Sequence, residues 1–166
     1  MNNINFTGII FIDCWETINS IASPKNMKSE NIIIKRFHNK IYNYVNKLSF
    51  THTVYTGSFL NLSNKLLTLA THKLFIDDIK ILKTMIKYHK LEDTNWLVCG
   101  AAWQLCLHKN SIGFIQLTKL PINIFSTPDI VDTEYFDVNE VTNDDFINDT
   151  IVSWEEYPNN IYRLKI

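Results

Sequence analysis

The sequence predicts an α/β fold: a single Rossmann-like three-layer domain with a mostly parallel sheet flanked by helices, closed by an acidic C-terminal segment carrying a hairpin. Three observations predict it. Apolar runs of strand length alternate along the chain with stretches of helical period. The runs are continuous rather than alternating, as suits strands covered on both faces. And 166 residues, 46% hydrophobic and with only four Gly and four Pro, make one domain able to bury a sizeable core.

Gly8-Ile9-Ile10-Phe11-Ile12-Asp13 is the first strand, stopped by a carboxylate. Ser23-Pro24-Lys25-Asn26 reads as a loop, and a helix is expected from about Ser29, an N-cap, through Ile34, Phe37, Ile41, Val45 and Leu48. Thr53-Val54-Tyr55-Thr56 is a second strand, ended by Gly57-Ser58; Leu62, Leu66 and Leu69 then space out a short helix. Lys73-Leu74-Phe75-Ile76 reads as a short strand running into Asp77-Asp78, and Ile79, Leu82, Met85, Ile86 and His89 mark an amphipathic helix. Trp96-Leu97-Val98-Cys99-Gly100 is a buried strand, Trp103 to Lys119 a helix, and Ile122-Asn123-Ile124-Phe125 a strand stopped by Pro128. The chain closes with a hairpin, Val152–Trp154 and Ile161–Leu164, around Pro158-Asn159-Asn160. No repeat or linker divides the chain, so one domain spans 1–166, with a core at about 6–126 and a closing segment at about 127–166.

Composition excludes several function classes. The apolar content excludes disorder, and no apolar run reaches the length of a membrane span. The start lacks the basic region of a secretory signal. Three cysteines, Cys14, Cys99 and Cys106, fit a reducing cytosol better than a disulfide framework. The heavy use of Asn, Ile and Lys marks an AT-rich coding genome, such as a low-GC marine microbe or its phage, and carries no function. The net charge of −1 argues against a general nucleic-acid binder. Charge is nevertheless split: residues 1–128 hold 14 basic and 7 acidic side chains, residues 129–166 hold 2 and 10. Phe136, Phe146, Ile151, Val152, Trp154, Tyr157, Ile161 and Leu164 keep the acidic end from being a solvated tail. It is expected to pack back on the domain and complement its basic surface, or to cross to a second copy in a homo-oligomer.

Open α/β sheets bind ligands beyond the carboxyl ends of their strands. Asp13, Thr56-Gly57-Ser58 and Gly100-Ala101-Ala102-Trp103-Gln104-Leu105-Cys106 fall there. The small residues at 100–102 allow a tight turn with the backbone close to a ligand. Cys106 is then expected in the first turn of a helix, whose positive end stabilises a thiolate.

This arrangement resembles the isochorismatase-like cysteine hydrolases, whose members carry an Asp at the end of strand one, a mid-chain Lys and Gly-x-x-Thr-x-x-Cys at a strand-to-helix turn. Gly100 and Cys106 keep that spacing, and the likeness covers roughly residues 6–126. It implies a small-molecule hydrolase without cofactor: Cys106 attacks an amide or related carbonyl and Asp13 takes and returns the proton. Lys73, with Lys65 close behind, is the family cation, and backbone amides at Ala102 and Cys106 form the oxyanion hole. Two departures stand out. Trp15 replaces the family's Gln and Trp103 its Thr, so both tryptophans line the substrate pocket with Thr56 or fill it. The metal ligands of the nicotinamidase branch are missing after strand two.

Two alternatives stay open. One is an inactive isochorismatase-like domain that binds a small ligand or a partner protein. The other follows from Asp13-Cys14-Trp15-Glu16-Thr17, Thr56 and Asp77-Asp78, which resemble motifs of the haloacid dehalogenase-type phosphatases, although Trp15 stands where that family has its general acid. Each residue also has a plain reading: Asp13 as a strand-end cap, Cys106, Cys99 and Cys14 as small buried hydrophobes, Lys73 as a solvated lysine, the tryptophans as packing. The histidines at 38, 52, 72, 89 and 108 show no metal-ligand spacing; His38 and His89 are expected to be surface or half-buried, and His72 alone stays under suspicion.

Overall fold

A computed structural model describes residues 4–14, 24–56, 72–100, 107, 111–131, 143–148 and 153–166, with side chains for all of these except 24–34 and 145. Seven strands form one sheet: β1 (Gly8–Ile12), β2 (His52–Thr56), β3 (His72–Phe75), β4 (Asn95–Gly100), β5 (Asn123–Ser126), β6 (Ser153–Tyr157) and β7 (Ile161–Lys165). Their order is β3-β2-β1-β4-β5-β7-β6. The first five are parallel; β7 runs antiparallel to β5, and β6 antiparallel to β7. The chain therefore starts in the middle of the sheet, winds outward to β3, and returns across β1 to build the other half. The strand order reverses between β1 and β4, which is where an open sheet leaves a crevice at its carboxyl edge.

The helices are α1 (Pro24–Val45), α2 (Ile79–Tyr88), α3 (Phe114–Leu117) and α4 (Asn143–Asn148), with a 3-10 turn at Pro128–Ile130. Alternate residues of each strand serve opposite faces. Ile9, Phe11, Tyr55, Leu97 and Cys99 pack with Ile41 and Val45 of α1 on one face. Ile10, Ile12, Val54 and Val98 pack with Leu82, Met85 and Ile86 of α2 and with Phe114 and Leu117 of α3 on the other. All five residues of β1 are buried, which explains why its sequence is unbroken hydrophobe. Gly8 sits opposite Trp96, and a Cβ there would overlap the indole ring. On the α1 face, the register lines up Phe11, Tyr55 and Phe75, whose rings stack at 5.1 and 5.4 Å.

The acidic segment does pack back. Phe146 of α4 is fully buried against Trp154 (4.8 Å) and Tyr162 (5.0 Å), and Trp154 meets Phe114 edge-on at 4.9 Å. The expected hairpin forms, with Asn159 and Asn160 at positive φ in its turn. It covers the edge of β5, leaving β3 and β6 as the sheet's outer strands.

Three expectations need correcting. α1 begins at Pro24 rather than near Ser29, so Ser23-Pro24-Lys25-Asn26 is not a loop throughout: proline suits a first helical turn, where its missing N–H has no partner to lose. The helix expected to run unbroken to Lys119 is interrupted, since residues 111–113 are turn and bend, and α3 starts afresh after the extended Gly113 and stops at Leu117. And His38 is not at the surface but 5% exposed. The short helix around Leu62, Leu66 and Leu69 lies outside the described residues. Among the described residues no helix is long and apolar enough to cross a membrane.

Candidate functional site

β1 ends at Ile12, paired on one side with Thr56 and on the other with Gly100. Asp13 is the next residue. Its backbone turns into the left-handed region at φ 51, and its N–H donates to the Thr56 carbonyl at 3.0 Å. Aspartate tolerates this conformation better than most residues, but it still costs about 1 kcal/mol or more. The side chain is only 6% exposed. A buried carboxylate is thereby held at the middle of the carboxyl edge.

Gly100 closes the other flank. Its φ is +144, and a Cβ would overlap the Ile12 carbonyl oxygen. Only glycine lets β4 end this close to β1. A single parallel bridge from Gly100 to Val131 brings the segment after β5 alongside. That segment is anchored by Ser126, whose hydroxyl donates to the Val98 carbonyl at 2.7 Å, and by Thr127, which caps the 3-10 turn through the Asp129 N–H.

Thr56 completes the cluster. It is 1% exposed, and its hydroxyl has no hydrogen-bond partner among the described residues. An unmade hydrogen bond of this kind costs roughly 1–3 kcal/mol, so its presence beside Asp13 calls for an explanation. A ligand oxygen at the edge is one.

Cys14 and Cys99 are free buried thiols on the α1 face. Burial first, and then contact with Cys14, push the Cys99 thiol well above its usual value, which makes it inert as a nucleophile. Both thiols donate to carbonyls of β1, Cys14 to Ile12 and Cys99 to Ile10.

The structure thus brings together Asp13, Thr56 and Gly100. It does not bring Lys73 to them. Lys73 is exposed on β3, level with Thr53, two strands from β1 and in the amino half of the sheet. Asp77 and Asp78 follow β3, again with β2 between them and β1; the Asp78 carboxylate caps α2, and the Asp77 backbone carbonyl accepts from Ser111. Trp15, Lys65, Ala102, Trp103 and Cys106 lie outside the described residues. No protein-family model matches the chain, and it has no significant match among curated proteins or solved structures.

Proposed function

We propose that the chain is a small-molecule hydrolase whose working carboxylate is Asp13 and whose nucleophile is Cys106, acting on an amide or related C–N bond. One observation carries this reading: Asp13 is buried and held in a left-handed backbone at the carboxyl edge, beside Gly100, where the strand order reverses. The segment that leads to Cys106 starts at Gly100, whose own conformation accepts only glycine. The chemistry then follows. Asp13 takes the Cys106 proton, the thiolate adds to the carbonyl, and the proton goes to the departing nitrogen before water releases the acyl group. We read its partner as a small molecule rather than nucleic acid or membrane, and its compartment as a reducing cytosol.

The unpartnered Thr56 hydroxyl favours a second reading, a phosphatase in which Asp13 itself attacks phosphorus and Thr56 binds a phosphate oxygen. Asp78 weakens it, being occupied as a helix cap.

A panel of amides, carbamoyl compounds and phosphomonoesters, with and without Mg²⁺, separates these readings. Amide turnover that falls about 10²–10⁴-fold in Asp13→Asn and vanishes in Cys106→Ser is the expected result. Phosphomonoester turnover that needs Asp13 and Thr56 but survives Cys106→Ser selects the phosphatase. No turnover of any class, with a thermal shift on ligand addition, leaves an inactive binding domain.

A further inference from the structure

The opposite, amino edge of the sheet gathers three histidines that are far apart in sequence. His52 opens β2, and His72 opens β3 directly beside it in register. His89 closes α2, which returns to the same edge. The His52 ring centroid lies 5.7 Å from that of His72, 5.5 Å from that of His89 and 6.3 Å from that of Trp96.

Hydrogen bonding settles which His52 nitrogen is available. The Thr51 hydroxyl donates to the Thr7 carbonyl at 2.9 Å, so its single proton is used. The same oxygen lies 2.8 Å from His52 Nδ1, which must therefore be the donor. His52 is held as the Nδ1–H tautomer, with its lone pair on Nε2. An outer hydrogen bond that fixes tautomer and ring orientation is the support that metal-bound imidazoles receive. Partial burial, then the neighbouring imidazoles of His89 and His72, lower the His52 pKa.

We propose that His52, His72 and His89 form a binding site for a borderline divalent transition-metal ion of the zinc, nickel or copper class. Imidazole nitrogen is the ligand these ions favour, and water can fill the remaining position. As the side chains are placed, no group of three His, Cys, Asp or Glu among the described residues could hold a metal ion. His72 and His89 must therefore swing toward His52, and both are exposed, so their rings turn without disturbing the core. The site is separate from the Asp13 edge, about 15 Å away along the strands, and its test does not depend on any activity.

Calorimetric titration of the full chain with Zn²⁺ alone at pH 7.5 is expected to show one saturable equivalent. The double variant His72→Ala/His89→Ala is expected to bind roughly tenfold more weakly or worse, and Thr51→Val to fall between. In the wild-type protein, nitrogen-detected NMR is expected to show the imidazole resonances of His52, His72 and His89 shifting with the same equivalent. Absence of saturable binding overturns the proposal, as does equal binding by the folded double variant. Should that variant misfold, unshifted imidazole resonances in the wild type overturn it as well.

Discussion

Backbone geometry constrains single residues at the carboxyl edge. Gly100 is the clearest case, because φ +144 and the Ile12 carbonyl leave no room for a Cβ. Gly100→Ala is expected to cost about 3 kcal/mol or more, lowering Tm by roughly 6–12 °C in a domain of this size. His38 offers a second test at this scale. Burial lowers its pKa from 6.5 to about 4. Between those values the unfolded chain binds the extra proton, so stability rises with pH across the window and is lost as pH falls from 6.5 toward 4. The shift corresponds to on the order of 3 kcal/mol. Urea unfolding of the wild type at pH 7 and pH 4.5 should register that loss, and His38→Leu should reduce it.

At the scale of elements, the closing hairpin decides whether the sheet is finished. β7 pairs with β5 through Phe125–Arg163 and Ser126–Tyr162, and Arg163 also donates to the Asn123 side chain. The buried faces of Phe146, Tyr162 and Leu164 tie the hairpin to the α2 and α3 side of the core. Removing residues 153–166 strips the cover from β5 and exposes those partners. An uncovered strand edge beside apolar surface invites pairing between chains. The truncated protein is therefore expected to elute as aggregate on size-exclusion chromatography; a monomeric, cooperatively folding product would mean that the hairpin is an ornament.

Across the whole molecule, the parallel sheet has two chemically different ends. Every parallel strand delivers its last residue to one edge, which gathers Asp13, Thr56 and Gly100. It delivers its first residue to the other, which gathers His52 and His72 and meets the end of α2 at His89. The two ends share strands but no side chains. Asp13→Asn is thus expected to leave Zn²⁺ binding unchanged, and His72→Ala/His89→Ala to leave turnover unchanged. Lys40 of the basic stretch meets Asp129 of the acidic one at 4.0 Å. That pair is exposed and contributes little.

The sequence by itself determined the class of fold, because continuous apolar runs such as Gly8–Ile12 and Trp96–Val98 have few homes other than a doubly covered parallel sheet. It also placed Asp13 and Gly100 at strand ends, since a carboxylate and a glycine stop such runs for opposite reasons: one resists burial, the other permits a backbone no other residue adopts. It misjudged the start of α1 because Ser-Pro is as good an opening to a helix as it is a loop. It misjudged the stretch before Phe114 because apolar spacing cannot show where a glycine interrupts a helix. Only the tertiary structure decided which residues become neighbours. Lys73 falls two strands from Asp13 because β2 lies between β3 and β1. Histidines 20 and 37 positions apart meet because register aligns the first residues of β2 and β3 and α2 ends at the same edge. Local propensity fixes where an element begins and stops; strand order and register, which are set by long-range packing, fix what it touches.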